Sequence, residues 1–205
     1  LSLTQKLGKK GRFAKVSEKR IKNMERCRLV FSGSGGQGVI TAAIILAEAA
    51  VLYENMSAVQ SQVYGPAARG GATRTDVIIS ESNINYPKVI QPNVLVCLTQ
   101  EAYNQYYPII RPGGLLITDN RFVKIQRKVD AQQKELPMYR NVMETIGKPI
   151  VFNICMLGVV IALTKLVKPD SIMEVLKDRL PEAFIKMNRN ALDLGMKIAA
   201  DNKTS

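Results

Sequence analysis

Residues 28 to 53 limit the folds open to this chain more than any other stretch. They read Arg-Leu-Val-Phe-Ser-Gly-Ser-Gly-Gly-Gln-Gly-Val-Ile-Thr-Ala-Ala-Ile-Ile-Leu-Ala-Glu-Ala-Ala-Val-Leu-Tyr. Leu29 to Ser32 has the length and apolarity of a buried strand. Gly33 to Gly38 carries four glycines in six residues, and Val39 to Tyr53 continues as an apolar helix. A strand, a glycine turn and a helix in that order form the cradle that α/β proteins offer to phosphate. Glycine admits positive φ and leaves a ligand room against bare main chain. The unbonded N–H groups of the first helical turn then face that ligand, with the positive end of the helix dipole behind them. The same glycines also permit a tight strand-to-helix crossover with no ligand. Their number favours the cradle, since a tight turn needs fewer.

The helix is apolar on nearly every side, with Thr41, Glu48 and Tyr53 its only partly polar positions. A one-faced surface helix would show a polar stripe, so this one is expected to be covered on both sides, by this chain or by another subunit. Ser57 to Val63 reads as a second strand. Tyr64-Gly-Pro-Ala-Ala-Arg-Gly-Gly71 reads as a loop, and Thr73 to Ser80 as a third strand. Asn83 to Pro92 is irregular. Asn93 to Thr99 is the continuous apolar run of a strand inside a parallel sheet. Gln100 to Ile110 predicts a helix stopped by Arg111-Pro-Gly-Gly114, Leu115 to Thr118 another buried strand, and Lys124 to Lys128 an edge strand. From Tyr139 onward the pattern is helical: Tyr139 to Ile146, Asn153 to Leu166, Asp170 to Leu180 and Glu182 to Ala200. Asp170, just after Pro169, is expected to cap its helix through its carboxylate. Asn153 and Asn188 are expected to act as helix caps or interhelix hydrogen-bond partners. The sum is one α/β domain of Rossmann-like type, with a parallel or mixed sheet and a helical C-terminal part.

At 205 residues the chain suits one domain, or one domain with an extension. The net charge of +12 is uneven: residues 1 to 28 hold ten Lys and Arg against Glu18 and Glu25, a net +8. Residues 1–27 therefore read as a basic N-terminal arm and 28–205 as the domain. Such an arm suits nucleic acid, an anionic surface or a solvated extension. It lacks the interleaved aromatics of a base-stacking segment and the apolar residues of a membrane helix, so neither nucleic acid nor membrane is the expected partner. No signal peptide is evident. Ile150 to Leu166, the longest apolar stretch, contains Asn153 and is shorter than the ~20 residues of a membrane span. Cys27, Cys97 and Cys155 stand far apart, which speaks against an iron–sulfur or zinc site held by this chain alone and suits a reducing cytoplasm. Histidine is absent, so no imidazole base or His-ligated metal is available.

Gly33, Gly35 and Gly38 satisfy the dinucleotide spacing G-x-G-x-x-G, which raises a stand-alone Rossmann-type nicotinamide or flavin oxidoreductase. That reading needs an acid at the end of the next strand for the ribose. Here that strand ends at Gln62 and Val63, and Glu54 precedes it. No Walker-type Lys follows the loop. A nucleic-acid-associated module using the basic arm is the remaining alternative.

Longer motifs carry a family resemblance. Gly33-Ser-Gly-Gly-Gln-Gly-Val-Ile-Thr-Ala-Ala43 is followed by Val59-Gln-Ser-Gln-Val-Tyr-Gly-Pro-Ala-Ala-Arg-Gly-Gly71. Further on stand Ile84-Asn-Tyr-Pro87, Asn93 to Thr99, Pro112-Gly-Gly114, Asn153-x-x-x-Leu-Gly158 and Asn188-x-x-Ala-Leu-x-x-Gly195. This pattern resembles the gamma subunit of 2-oxoacid:ferredoxin oxidoreductases, the 2-oxoglutarate enzymes above all, over roughly residues 28 to 197. Val63 stands where the family often has a small hydroxyl residue, and Ala67 where it often has an acid. Both departures bear on the choice of 2-oxoacid.

The resemblance implies a cytoplasmic enzyme that oxidatively decarboxylates a 2-oxoacid to its acyl-coenzyme A and passes electrons to ferredoxin. Thiamine diphosphate, magnesium and [4Fe–4S] clusters carry that chemistry. This chain has neither their ligand motifs nor cysteine clusters, so they are expected on partner alpha and beta subunits, with a ferredoxin-like delta subunit as a further member. The chain itself is expected to be non-catalytic and to help hold coenzyme A. The expected contacts are the loop Gly33, Ser34, Gly35, Gly36, Gln37 and Gly38, the strand residues Gln60, Ser61 and Tyr64, and Arg69, Gly70 and Gly71. A guanidinium such as that of Arg69 pairs bidentately with phosphate, and it serves equally well as a bridge to a neighbouring subunit.

Overall fold

The computed structural model describes residues 25–63 and 72–202. The arm, apart from its last residues, and the loop holding Tyr64, Arg69, Gly70 and Gly71 lie outside them. The elements run β1 (Arg26–Gly33), α1 (Val39–Tyr53), β2 (Ser57–Val63), β3 (Thr73–Ser80), β4 (Val94–Cys97), α2 (Gln100–Tyr106), β5 (Gly114–Asp119) and β6 (Ala131–Leu136). Four helices complete the chain: α3 (Met138–Thr145), α4 (Phe152–Thr164), α5 (Pro169–Arg179) and α6 (Glu182–Asp201).

The six strands form one sheet in the order β2-β3-β1-β4-β5-β6. β1, β4, β5 and β6 are parallel neighbours, whereas β3 runs antiparallel to both β1 and β2. The sheet is therefore mixed, one of the two arrangements the sequence allows. Alternate residues of each strand point to opposite faces. Leu29, Phe31, Val77, Val96 and Ile117 face a core shared with α1, α3, α4, α5 and α6, and Val30, Ile78, Leu95 and Leu116 face a smaller core under α2. The apolar α1 is covered from both sides as its sequence predicts: the sheet lies on one side, and α4 and α5 on the other.

All thirteen residues of α4 are buried, which explains an apolar run that is not a membrane span. Among the described residues no helix is long and apolar enough to cross a membrane. Gly158 on α4 faces Leu192 of α6, and Gly195 on α6 faces Cys155 of α4, so closely that a methyl group at either would collide with the opposing backbone. The glycines of the two C-terminal motifs thus set the approach of this helix pair.

Four local expectations need correction. The segment 124–128 is not a strand: the Gln100 amide brackets Lys124, accepting its N–H at 2.8 Å and donating to its carbonyl at 3.3 Å, and β6 takes the sheet edge instead. The helix from Gln100 ends at Tyr106 and tightens into a 3-10 turn over Tyr107–Ile109, because Pro108 has no N–H to continue it. Asp170 does not cap α5. Its carboxylate pairs with Arg189 at 3.1 Å, and Glu54 of the α1–β2 turn accepts the Lys168 N–H at 2.9 Å and the Ser171 hydroxyl at 2.6 Å. Asn188 bonds back to the Phe184 carbonyl of its own helix at 2.9 Å, so this bond neither caps the helix nor joins it to another.

Candidate functional site

The connection from β1 to α1 leaves the sheet where β1 borders β4, the point at which successive connections turn to opposite sides. In open α/β sheets this crevice, beyond the carboxyl ends of the strands, is where ligands bind. Gly35–Gln37 makes one 3-10 turn. Gly38 then takes φ 67° and its carbonyl accepts the Ala42 N–H at 3.0 Å, starting α1. Positive φ is needed only at this glycine of the loop.

Gln37 holds the turn in shape. Its Oε1 accepts the Ser34 N–H at 2.8 Å and its Nε2 donates to the Leu98 carbonyl at 2.9 Å, spanning the crevice to the end of β4. Gly33 makes room for it, since a Cβ there would lie 2.5 Å from Gln37 Oε1. Gly35 and Gly36 differ: both are exposed, and a Cβ on either would meet nothing within 4 Å. Two of the four glycines are therefore required by the fold, and two leave bare backbone open at the N-terminus of a fifteen-residue helix.

A groove of about 550 Å³ opens beside this backbone. Gly36, Gly38 and Thr41 form one wall, Ile150 and Asn153 another, and Arg179, Leu180 and Phe184 from the α5–α6 junction the third. Ile150 and Phe184 remain 77% and 48% exposed, large apolar surface available to a ligand. Asn153 ties the groove together as an interhelix contact, its Nδ2 lying 3.5 Å from the Gly38 carbonyl oxygen. Its Oδ1 is buried with no hydrogen-bond partner among the described residues. An unsatisfied buried acceptor beside a groove is a place where a further donor would be favourable. Arg179 is held at the far end by a two-bond contact with Glu48, the Nε bond being 2.6 Å.

The other expected residues stand apart. The Gln60 amide donates to Thr75 Oγ1 at 2.7 Å, and that hydroxyl lies 3.2 Å from the Ser61 carbonyl. Both residues are on the edge strand, two strands from β1. The ends of the 64–71 connection are at the glycine-loop end of the sheet, because Val63 pairs with Arg74 and Gly33 with Thr73. Sequence reading missed Thr41, Ile150, Arg179 and Phe184, whose convergence depends on how α5 and α6 pack.

The groove's lining among the described residues offers no carboxylate, thiol or amine. The three cysteines are buried, and burial pushes the Cys27 and Cys155 thiols up to about 12, so neither is a thiolate at neutral pH. Asp119, at the end of β5, is fully buried; its carboxylate is raised by burial, partly opposed by the Tyr139 and Arg121 N–H groups at 2.7 and 2.9 Å. It anchors the start of α3.

A profile of the pyruvate ferredoxin/flavodoxin oxidoreductase family matches residues 28–198, from β1 through α6. The chain belongs to that family. Within it, the 2-oxoglutarate synthase subunit KorC of Methanocaldococcus jannaschii is 41% identical over 188 residues, covering 91% of this chain and 100% of its own. The gamma subunit of a keto/oxoacid ferredoxin oxidoreductase from Geobacter sulfurreducens superposes with a TM-score of 0.78 at 38% identity, covering 85% of this chain and 99% of that one. The 2-oxoglutarate:ferredoxin oxidoreductase of Magnetococcus marinus, solved with 2-oxoglutarate, coenzyme A and succinyl-CoA bound, shares the fold. Its TM-score is 0.79 at 20% identity, over 89% of this chain and 32% of that one. This family member is a gamma-type subunit of a 2-oxoacid:ferredoxin oxidoreductase, and its glycine loop lies inside the matched region.

Proposed function

We propose that this gamma-type subunit serves an enzyme that acts on 2-oxoglutarate, and that its groove helps to hold coenzyme A. The observation that carries the second part is the open backbone of Gly35 and Gly36 beside a groove with an orphaned acceptor, Asn153 Oδ1. The first-turn N–H groups of α1 suit a phosphate of the coenzyme. Asn153 Oδ1 suits an amide N–H of its pantetheine arm, and Ile150 and Phe184 suit the arm's apolar parts. Arg69 is proposed to add a charge-assisted phosphate contact, worth about 1.5–3 kcal/mol. Gln60, Ser61, Tyr64, Gly70 and Gly71 are proposed to shape the adjoining edge. The choice of 2-oxoglutarate is supported by the kinship with the archaeal 2-oxoglutarate synthase subunit along its whole length.

In this reading the reacting carbon is held elsewhere, by thiamine diphosphate with magnesium on alpha and beta subunits, and electrons leave through [4Fe–4S] clusters to ferredoxin. The chain's part is to bind and orient the acyl acceptor and to join the assembly. A reducing cytoplasm suits its three unpaired, buried cysteines. Reconstitution tests the reading. The isolated chain should reduce no viologen with any 2-oxoacid, and the complex co-purified with it should convert 2-oxoglutarate to succinyl-CoA with a higher kcat/KM than pyruvate or ketoisovalerate. Turnover by the isolated chain, or a preference for pyruvate, contradicts it.

A further inference from the structure

The opposite end of the sheet carries a second feature, built from motifs that the glycine loop does not use. Arg28 near the start of β1, Tyr86, Lys88 and Ile90 of the β3–β4 connection, and Arg111 before β5 surround a shallow depression of about 560 Å³. Its floor is fixed by hydrogen bonds from main-chain N–H groups. The Arg28 N–H donates to Asn93 Oδ1 at 2.8 Å, the Asn93 N–H to the Arg28 carbonyl at 2.7 Å, and the Arg111 N–H to the Pro92 carbonyl at 3.2 Å. Among the described residues, Arg28, Lys88 and Arg111 form no ion pair, and no carboxylate lines the depression. Tyr86 and Ile90 are 59% and 63% exposed.

We propose that this end of the sheet is a docking surface for a carboxylate-rich segment of a partner subunit. Three cations lining one depression without counter-charges attract carboxylates, which guanidiniums bind bidentately. An inorganic anion would satisfy the cations alone. Covering Tyr86 and Ile90 as well requires a polypeptide, and Tyr and Arg are enriched at the centres of buried interfaces. The chain's own N-terminal segment does not supply the carboxylates, since residues 1 to 24 hold eight Lys and Arg against Glu18 alone. The proposal rests on membership of a multisubunit enzyme and is independent of the coenzyme A groove, which lies at the other end of the parallel strands.

The test uses the assembled enzyme. A zero-length carbodiimide should join Lys88 to an Asp or Glu of another subunit, identified by mass spectrometry. Lys88→Arg, which keeps the charge but cannot form the amide, should abolish that link while the assembly stays intact. Lys88→Glu combined with Arg111→Glu should speed dissociation of this chain at least tenfold and flatten its dependence on salt, with the KM for coenzyme A in the remaining complex within about twofold. The proposal is overturned if Lys88 stays unlinked in an intact assembly, or links only to a second copy of this chain. It is also overturned if the doubly reversed chain binds its partners as tightly as the wild type.

Discussion

Asn153 Nδ2 lies 3.5 Å from the carbonyl oxygen of Gly38, joining the second residue of α4 to the residue that opens α1. The contact is as close as it is because Gly38 has no side chain: a Cβ there would sit 2.7 Å from that same nitrogen. The start of the helix that follows the open backbone thus contacts the residue that leaves an acceptor free beside the groove.

Gly38→Ala therefore carries two penalties, a left-handed backbone at φ 67° and the clash with Asn153. Together they should cost about 2–4 kcal/mol. For a chain of this size the thermal midpoint should fall by roughly 5–15 °C. Asn153→Ala in the same chain removes the amide that lies closest and should recover part of the steric penalty, leaving the backbone part. A melting curve for Gly38→Ala within about 2 °C of wild type would show that the loop relaxes freely and does not seat α1.

Glu54 links the end of α1 to the start of α5, accepting the Lys168 N–H and the Ser171 hydroxyl, with Lys168 Nζ 3.6 Å away. Burial pushes its carboxylate up, but the Ser171 and Lys168 hydrogen bonds and the Lys168 charge outweigh burial, and the net shift is downward. A lowered value means that the contribution is present above the ordinary carboxylate range and is lost as pH falls through the lowered value. Glu54→Ala should cost about 0.5–2 kcal/mol at neutral pH, as for other lost caps. Its difference from wild type in urea melts should shrink in acid. A difference that persists unchanged well below the ordinary carboxylate range contradicts this role.

Much of this arrangement is legible in the sequence, and the parts that are not have physical reasons. The strand, glycine turn and helix around Gly33–Gly38 are local, since composition and periodicity alone specify them. The apolar run of α4 likewise announces a covered helix. The antiparallel β3 beside β1 is invisible locally, because Thr73 to Ser80 looks the same in either direction and only the pairing of Gly33 with Thr73 fixes it. β6, with the sequence Ala-Gln-Gln-Lys-Glu-Leu, has an edge strand's polarity and little strand propensity, so Lys124 to Lys128 competed for its place. Glu54 replaced Asp170 as the partner of α5 through a contact spanning 114 residues. The groove was unreadable for the same reason, since Arg179 and Phe184 meet the glycine loop only through tertiary packing.

Asp119 behaves oppositely to Glu54. Burial holds its carboxyl above the usual range despite the N–H groups of Tyr139 and Arg121. A raised value means that its contribution is complete below the ordinary value of about 4 and is lost as pH rises through the raised one. The stability advantage of wild type over Asp119→Asn should therefore be largest in acid and decline toward neutral pH. Urea titrations of both chains at intervals between about pH 4 and pH 7 measure it. An advantage that grows with pH would mean that the hydrogen bonds to the ionised carboxylate dominate its burial.

The central claim, that the open backbone of the glycine loop holds coenzyme A, is tested most directly by Gly36→Val in the assembled enzyme. A Cβ at Gly36 would meet nothing within 4 Å, so the fold should accept the side chain and the thermal midpoint should stay within about 2 °C. The added bulk stands where a phosphate would approach the α1 amides. The KM for coenzyme A should then rise about tenfold or more while that for 2-oxoglutarate stays within about twofold, the pattern of lost binding to one substrate. An intact assembly of Gly36→Val that keeps the wild-type KM for coenzyme A would show that the loop is only a crossover turn.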